Sequence, residues 1–159
     1  MRYFIQFSYF GQAYHGWQKQ PNAVTVQAVL EDALSKLVGE KVNTTGAGRT
    51  DTGVHAKIMY AHFDMAATKD TKKLTERLNA FLPDDIAVQD IFKVDAEAHS
   101  RFNATERTYE YYICNNKNPF YKDSAYYVHQ TLDLERMNRA ASLLIGKKAN
   151  MSRTMLIPS

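Results

Sequence analysis

Gly46-Ala47-Gly48-Arg49-Thr50-Asp51-Thr52-Gly53-Val54-His55-Ala56 is the most unusual stretch of this 159-residue sequence. Three glycines surround one arginine and one carboxylate. Glycine permits backbone angles closed to other residues and lets a ligand approach the chain closely, so residues 46–53 read as a loop or tight turn. An acid placed in such a turn is presented outward, where it can react. Arg49, two residues before it, can pair with a phosphate or a carboxylate. On composition alone, the competing reading is a plain polar turn between two strands.

The flanks fit a turn between strands. Residues 41–45 and 58–65 are strand candidates on either side. Toward the N-terminus, residues 2–9 alternate, with Tyr3, Ile5, Phe7 and Tyr9 on one face of a strand. Residues 11–22 hold two glycines and a proline and read as a loop. Thr25 can cap a helix in which Val26, Val29, Leu30, Ala33, Leu34 and Leu37 recur at helical spacing, and Gly39 stands where it would stop. Toward the C-terminus, Asp70 or Thr71 can cap a second helix carrying Leu74, Leu78, Phe81 and Leu82, closed by Pro83. Residues 86–94 are a strand candidate, and residues 107–114 form another, rich in tyrosine. Asp133 caps a third helix with Leu134, Met137, Ala141, Leu144 and Ile145 on one face, ended by Gly146. This order predicts an α+β fold, a ferredoxin- or RRM-like antiparallel sheet with helices packed on one face.

Composition narrows the function classes. A 45% hydrophobic content is that of an ordinary globular domain, and one cysteine, Cys114, excludes an intramolecular disulfide and suits a reducing cytoplasm. The first residues alternate as a strand does, unlike a signal peptide. No apolar run approaches the roughly 20 residues of a membrane span. The formal charge of +3 leans toward an anionic partner. Ten tyrosines and eight phenylalanines can stack on bases where exposed, although most are expected in the core.

Other chemistries fit less well. A dinucleotide fingerprint starting at Gly46 and Gly48 needs a third glycine where Asp51 stands, and no phosphate-binding loop ends in Gly-Lys-Ser/Thr. Asp51-Thr52-Gly53 matches the triplet of aspartic proteases, which need two such aspartates sharing a proton. With a single triplet, that activity would require a dimer. The five histidines form no ligand pattern with Cys114, so no metal is expected.

Gly48-Arg49-Thr50-Asp51-Thr52-Gly53-Val54-His55-Ala56 closely resembles the signature of the TruA family of tRNA pseudouridine synthases, with Thr52 in place of an alanine. Tyr14-His15-Gly16-Trp17-Gln18, Gln20-Pro21-Asn22, residues 78–86, His99-Ser100-Arg101-Phe102-Asn103-Ala104, Arg107-Thr108-Tyr109-Glu110-Tyr111 and Asn118-Pro119-Phe120 resemble further blocks of that family, in order. The resemblance implies that Asp51 is the nucleophile, that Tyr109 stacks on the target base and that Arg49 contacts RNA. It implies no cofactor and no metal, a tRNA anticodon stem-loop as substrate, and a homodimer. The target uridine would be flipped out of the RNA for the reaction.

The resemblance runs through residues 1–148, expected to form the family's N-terminal α/β half. Residues 149–159 do not align and are expected to be a tail of the kind a frameshift or truncation leaves. In the family a second half supplies the basic partner of the aspartate. This chain alone is therefore expected to show little turnover, and the alternative reading is an inactive RNA-binding domain of the same fold.

Overall fold

The computed structural model describes residues 1–66 and 70–145. The chain divides into two units, Met1–Thr105 and Glu106–Ser159.

The first unit is built on β1 (Arg2–Tyr9), whose burial alternates with period two: Tyr3, Ile5, Phe7 and Tyr9 are buried and the residues between them half-buried. It is followed by α1 (Val26–Val38), β2 (Thr44–Gly46), β3 (Ala56–Asp64), α2 (Thr71–Phe81) and β4 (Ile86–Lys93). The sheet order is β2-β3-β1-β4, with every pairing antiparallel. That order and the β-α-β-β-α-β succession are the ferredoxin-like arrangement expected from the sequence.

Both helices have the ends their sequences foretell. Thr25 Oγ1 accepts from Ala28 N at 3.3 Å, and α1 stops at Gly39, whose φ of 83° lies in the left-handed region. Asp70 Oδ1 accepts from Lys73 N at 2.8 Å, so Asp70 rather than Thr71 caps α2. Val26, Leu30, Ala33 and Leu34 of α1 and Leu74 and Leu78 of α2 join the inward strand residues Ile5, Phe7, Phe63, Val88 and Ile91 in one core. Each fully buried Leu, Ile or Phe contributes about 1.5–3 kcal/mol.

The register places three connections at one end of the sheet. Tyr9 pairs with Ala56 on one side and with Ile86 on the other. The C-terminal end of β1 therefore adjoins the starts of β3 and β4, and residues 10–25, 47–55 and 82–85 meet there. Phe10 N donates to Asp85 O at 2.8 Å across this end. From the opposite end of β4 the chain returns along the sheet face away from the helices. Ser100 N donates to His62 Nδ1 of β3 at 3.2 Å, and Ser100 Oγ donates to Thr45 O of β2 at 2.6 Å.

The second unit holds β5 (Ile113–Cys114), paired in parallel with β6 (Tyr126–Tyr127), and α3 (Leu134–Ser142), capped by Asp133 Oδ1 accepting from Arg136 N at 2.9 Å. The strand expected over residues 107–114 is corrected to its last two residues. Tyrosine favours a pleated, half-buried surface with cross-strand neighbours, and Tyr111 and Tyr112 are exposed. The apolar face expected of α3 is present in sequence, but none of its residues is buried, and only Met137 on that face is half-buried. Gly146 and residues 149–159 lie outside the described residues.

Candidate active site around Asp51

Residues 47–55 follow β2 and lead into β3. Their backbone is tied down from three directions. Ala47 N donates to Tyr60 O of β3 at 2.7 Å, Trp17 N donates to Thr50 O at 3.3 Å, and Gly53 N donates to Tyr14 O at 3.2 Å. The Tyr9 hydroxyl at the end of β1 lies 2.8 Å from Thr50 Oγ1. Gly11 N donates to His55 Nδ1 at 2.9 Å, and the Phe10 and His55 rings stack at 3.9 Å. His55 is thus a loop anchor.

The approach of residues 14–17 to this loop depends on one glycine. Gly16 has φ of 79°, and a Cβ there would lie 2.2 Å from the Thr50 carbonyl oxygen. Tyr14 holds the same segment from below: it is buried, and its hydroxyl donates to Asp85 Oδ1 at 2.5 Å. Burial, then the hydrogen bond and charge of Asp85, push the Tyr14 hydroxyl well above the ordinary tyrosine range, so it remains a protonated donor. Burial also raises Tyr9, partly offset by its hydrogen bond with Thr50.

The anchored backbone presents exposed side chains. Arg49, Asp51 and Thr52 are all exposed. With His15, Gln18 and Lys19 they line a cavity of about 550 Å³. A smaller cavity of about 190 Å³ adjoins it through Gln18 and Arg49 and is also lined by Trp17, Gln27, Thr45 and Arg101. Asp51 and Arg49 therefore line the same cavity. Tyr109 belongs to the second unit, half-buried in an irregular stretch.

Lys19 sits beside a buried network below the site. Glu31 accepts from Thr44 N at 2.7 Å, from Gln27 Nε2 at 3.0 Å and from Lys19 Nζ at 3.4 Å. Among the described residues, no group of three or more His, Cys, Asp or Glu is placed to hold a metal ion. No helix among them is long and apolar enough to cross a membrane.

The sequence singled out Asp51 and Arg49 but not Lys19, Gln18 or Arg101 as their neighbours. Tyr14, Gln18 and Arg101 fell within blocks noted only for resemblance, and no spacing linked them to the loop.

A ferredoxin-like sheet presenting one carboxylate and one arginine on a glycine-rich loop at its end is the arrangement that the resemblance to pseudouridine synthases implies. Residues 5–103 match the profile of the tRNA pseudouridine synthase family, and the chain belongs to that family. It is 50% identical over 143 residues to tRNA pseudouridine synthase A of Bacteroides thetaiotaomicron, covering 90% of this chain and 53% of that protein. The namesake from Bacteroides fragilis is 47% identical over 144 residues, covering 90% and 57%. That from Neisseria meningitidis serogroup C is 45% identical over 150 residues, covering 92% and 57%. The chain thus spans about half the length of the curated relatives it matches. The family match spans Asp51-Thr52-Gly53, so the triplet lies within the part of the chain that belongs to the synthase family, not to a protease.

Proposed function

We propose that this chain carries the nucleophile of a tRNA pseudouridine synthase and that Asp51 is that nucleophile. The observation that supports it is an exposed carboxylate on a backbone fixed by hydrogen bonds from β1, β3 and residues 14–17. A positioned carboxylate divides a hard isomerisation into easier steps through a covalent or ion-paired intermediate. The uracil N1–C1′ bond breaks, the base turns, and a C5–C1′ bond forms. The C5 proton leaves to a base and N1 gains a proton. Product and substrate are isomers, so the balance needs no cofactor or co-reactant.

In this reading Arg49, lining the same cavity, contacts the RNA near the flipped nucleotide, and Tyr109 of the second unit stacks on the base. The substrate is the anticodon stem-loop of tRNA, the whole protein acts as a homodimer, and the compartment is the cytoplasm. Arg49, lining the cavity beside Asp51, gives it a positive group that can meet a phosphate of the RNA.

The test is release of tritium from tRNA whose uridines carry it at carbon 5. It is run with the chain alone and with the chain supplemented by the C-terminal segment of the Bacteroides fragilis relative. Release by the supplemented wild type and none by Asp51→Asn is the expected result. Asp51 is exposed, and the unfolding midpoint of Asp51→Asn serves as the folding control. Equal release by both proteins refutes the assignment. Binding of tRNA without release by either identifies an RNA-binding domain without turnover.

A further inference from the structure

We infer that Arg101 and Arg49 form a phosphate-binding subsite beside Asp51, in the smaller of the two adjoining cavities, where it grips an RNA phosphodiester next to the reacting nucleotide. The inference deepens the functional reading above and rests on it for the identity of the ligand.

The lining of this cavity is chemically one-sided. Its lining includes the guanidinium groups of Arg49 and Arg101, the amide of Gln18 and the hydroxyl of Thr45, and no carboxylate. Its volume of about 190 Å³ suits a phosphate group rather than a base with its sugar. Arg49 has no hydrogen bond or ion pair among the described residues, which leaves its guanidinium donors open to an anion there. The two cavities share Gln18 and Arg49. A strand of RNA with one phosphate in the smaller would therefore run past Asp51 in the larger.

Arg101 is brought there by a segment built for placement. Ser100, itself buried, is fixed by Ser100 Oγ donating to Thr45 O at 2.6 Å and Ser100 N donating to His62 Nδ1 at 3.2 Å. The turn closes on itself: His99 N donates to Asn103 Oδ1 at 2.6 Å, Asn103 N donates to His99 O at 2.9 Å, and Arg101 N donates to His99 Nδ1 at 3.2 Å. The Phe102 ring stacks on His99 at 4.2 Å. Arg101 is thus an exposed residue on a backbone pinned to β2 and β3. Its planar guanidinium fork matches the geometry of a phosphate.

The experiment measures binding of an anticodon stem-loop RNA to the full chain by fluorescence anisotropy across a salt series. Arg101→Gln is compared with wild type, Arg101→Lys and Arg49→Gln. One lost phosphate contact reduces the slope of log K against log salt by about one and weakens binding uniformly across RNA sequences. Arg101→Gln is expected to show that loss, and Arg101→Lys to retain the slope. In parallel, inorganic phosphate is titrated while backbone amide resonances are followed. Wild type is expected to shift saturably at residues 45–48 and 100–101, and Arg101→Gln not to shift. Unchanged slope and unchanged phosphate response in Arg101→Gln overturn the subsite. Phosphate shifts without any RNA binding by wild type leave the subsite standing and refute the RNA reading instead. Arg101 is exposed, so the unfolding midpoint of each variant serves as the folding control.

Discussion

Gly16→Ala tests how the loop bearing Asp51 is held. At φ of 79°, alanine pays the left-handed cost of roughly 1–2 kcal/mol. Its Cβ would also lie 2.2 Å from the Thr50 carbonyl oxygen and 3.2 Å from the Asp51 carbonyl carbon, both backbone atoms that cannot rotate away. Overpacking of this kind costs about 1–3 kcal/mol more. Gly39→Ala is the internal control, because Gly39 has φ of 83° and nothing within 4 Å of an added Cβ. It pays the conformational cost alone. The two variants should therefore differ by about 1–3 kcal/mol, or about 1 M in a urea midpoint at the slopes usual for small proteins. The relief of the clash must move the Thr50–Asp51 peptide, so the amide resonances of Trp17 and Gly53, which donate into this contact, should shift in Gly16→Ala and not in Gly39→Ala. Equal midpoints for the two variants would refute the close approach, and with it the claim that residues 14–17 position Asp51.

Tyr14→Phe removes a hydrogen bond to a carboxylate and should cost about 1–2 kcal/mol, at the low end for charged partners because Asp85 is only half-buried and water can replace the hydroxyl; a midpoint equal to wild type would contradict it. Glu31→Leu leaves the Thr44 N–H without its acceptor and should cost about 1–3 kcal/mol, whereas Glu31→Gln keeps an acceptor and should cost less; urea unfolding of both variants checks the order. Burial, then the charges of Arg2 and His99, lower His62 from its ordinary value, with Asp64 opposing. The unfolded chain therefore binds more protons between the folded value and about 6.5, so stability is complete above about pH 6.5 and is lost as pH falls through the folded value. His62→Asn should flatten that dependence in unfolding measured from pH 7 to pH 5, and an unchanged slope would show that another group carries it.

What could be read in the sequence was what is decided locally. Helix α1 is bounded by a threonine cap and a left-handed glycine, both signals carried by single residues, and it came out where they put it. β1 was legible because alternation over eight residues has one structural meaning. Residues 107–112 misled because tyrosine content reports the ability to pair and says nothing of whether a partner exists. Glu31 and His62 were invisible as core residues for a related reason. Each is buried because a polar partner arrives from 13 or 38 residues away, and no spacing in the sequence records that meeting. The same holds for the site. That residues 46–53 form a loop presenting Asp51 was readable from glycines. That Arg101 joins Arg49 depends on the Ser100–Thr45 hydrogen bond, 55 residues apart.

The two readings of that loop, polar connector or reactive platform, make different demands on the backbone. A connector between strands needs only to cover its own distance and tolerates motion, and its polar groups can turn to water. Here the carbonyl of Thr50 and the N–H groups of Ala47 and Gly53 are all engaged by other segments, and Thr50 adds a side-chain hydrogen bond to Tyr9. Yet the residues flanking these anchors, Arg49, Asp51 and Thr52, are exposed. Fixing backbone is entropically costly, roughly 1–2 kcal/mol per residue, and nothing in the core requires that cost at an exposed acid. It is explained if the acid must meet a substrate atom in a set geometry, since misplacement by about 1 Å can cost a hundredfold in rate. The restraint comes from β1, from β3 and from the segment ahead of α1, the parts of the fold that converge at this end of the sheet. The topology that makes the domain stable is therefore the same topology that aims Asp51, and a substitution that loosens one of these anchors should lower activity before it unfolds the domain.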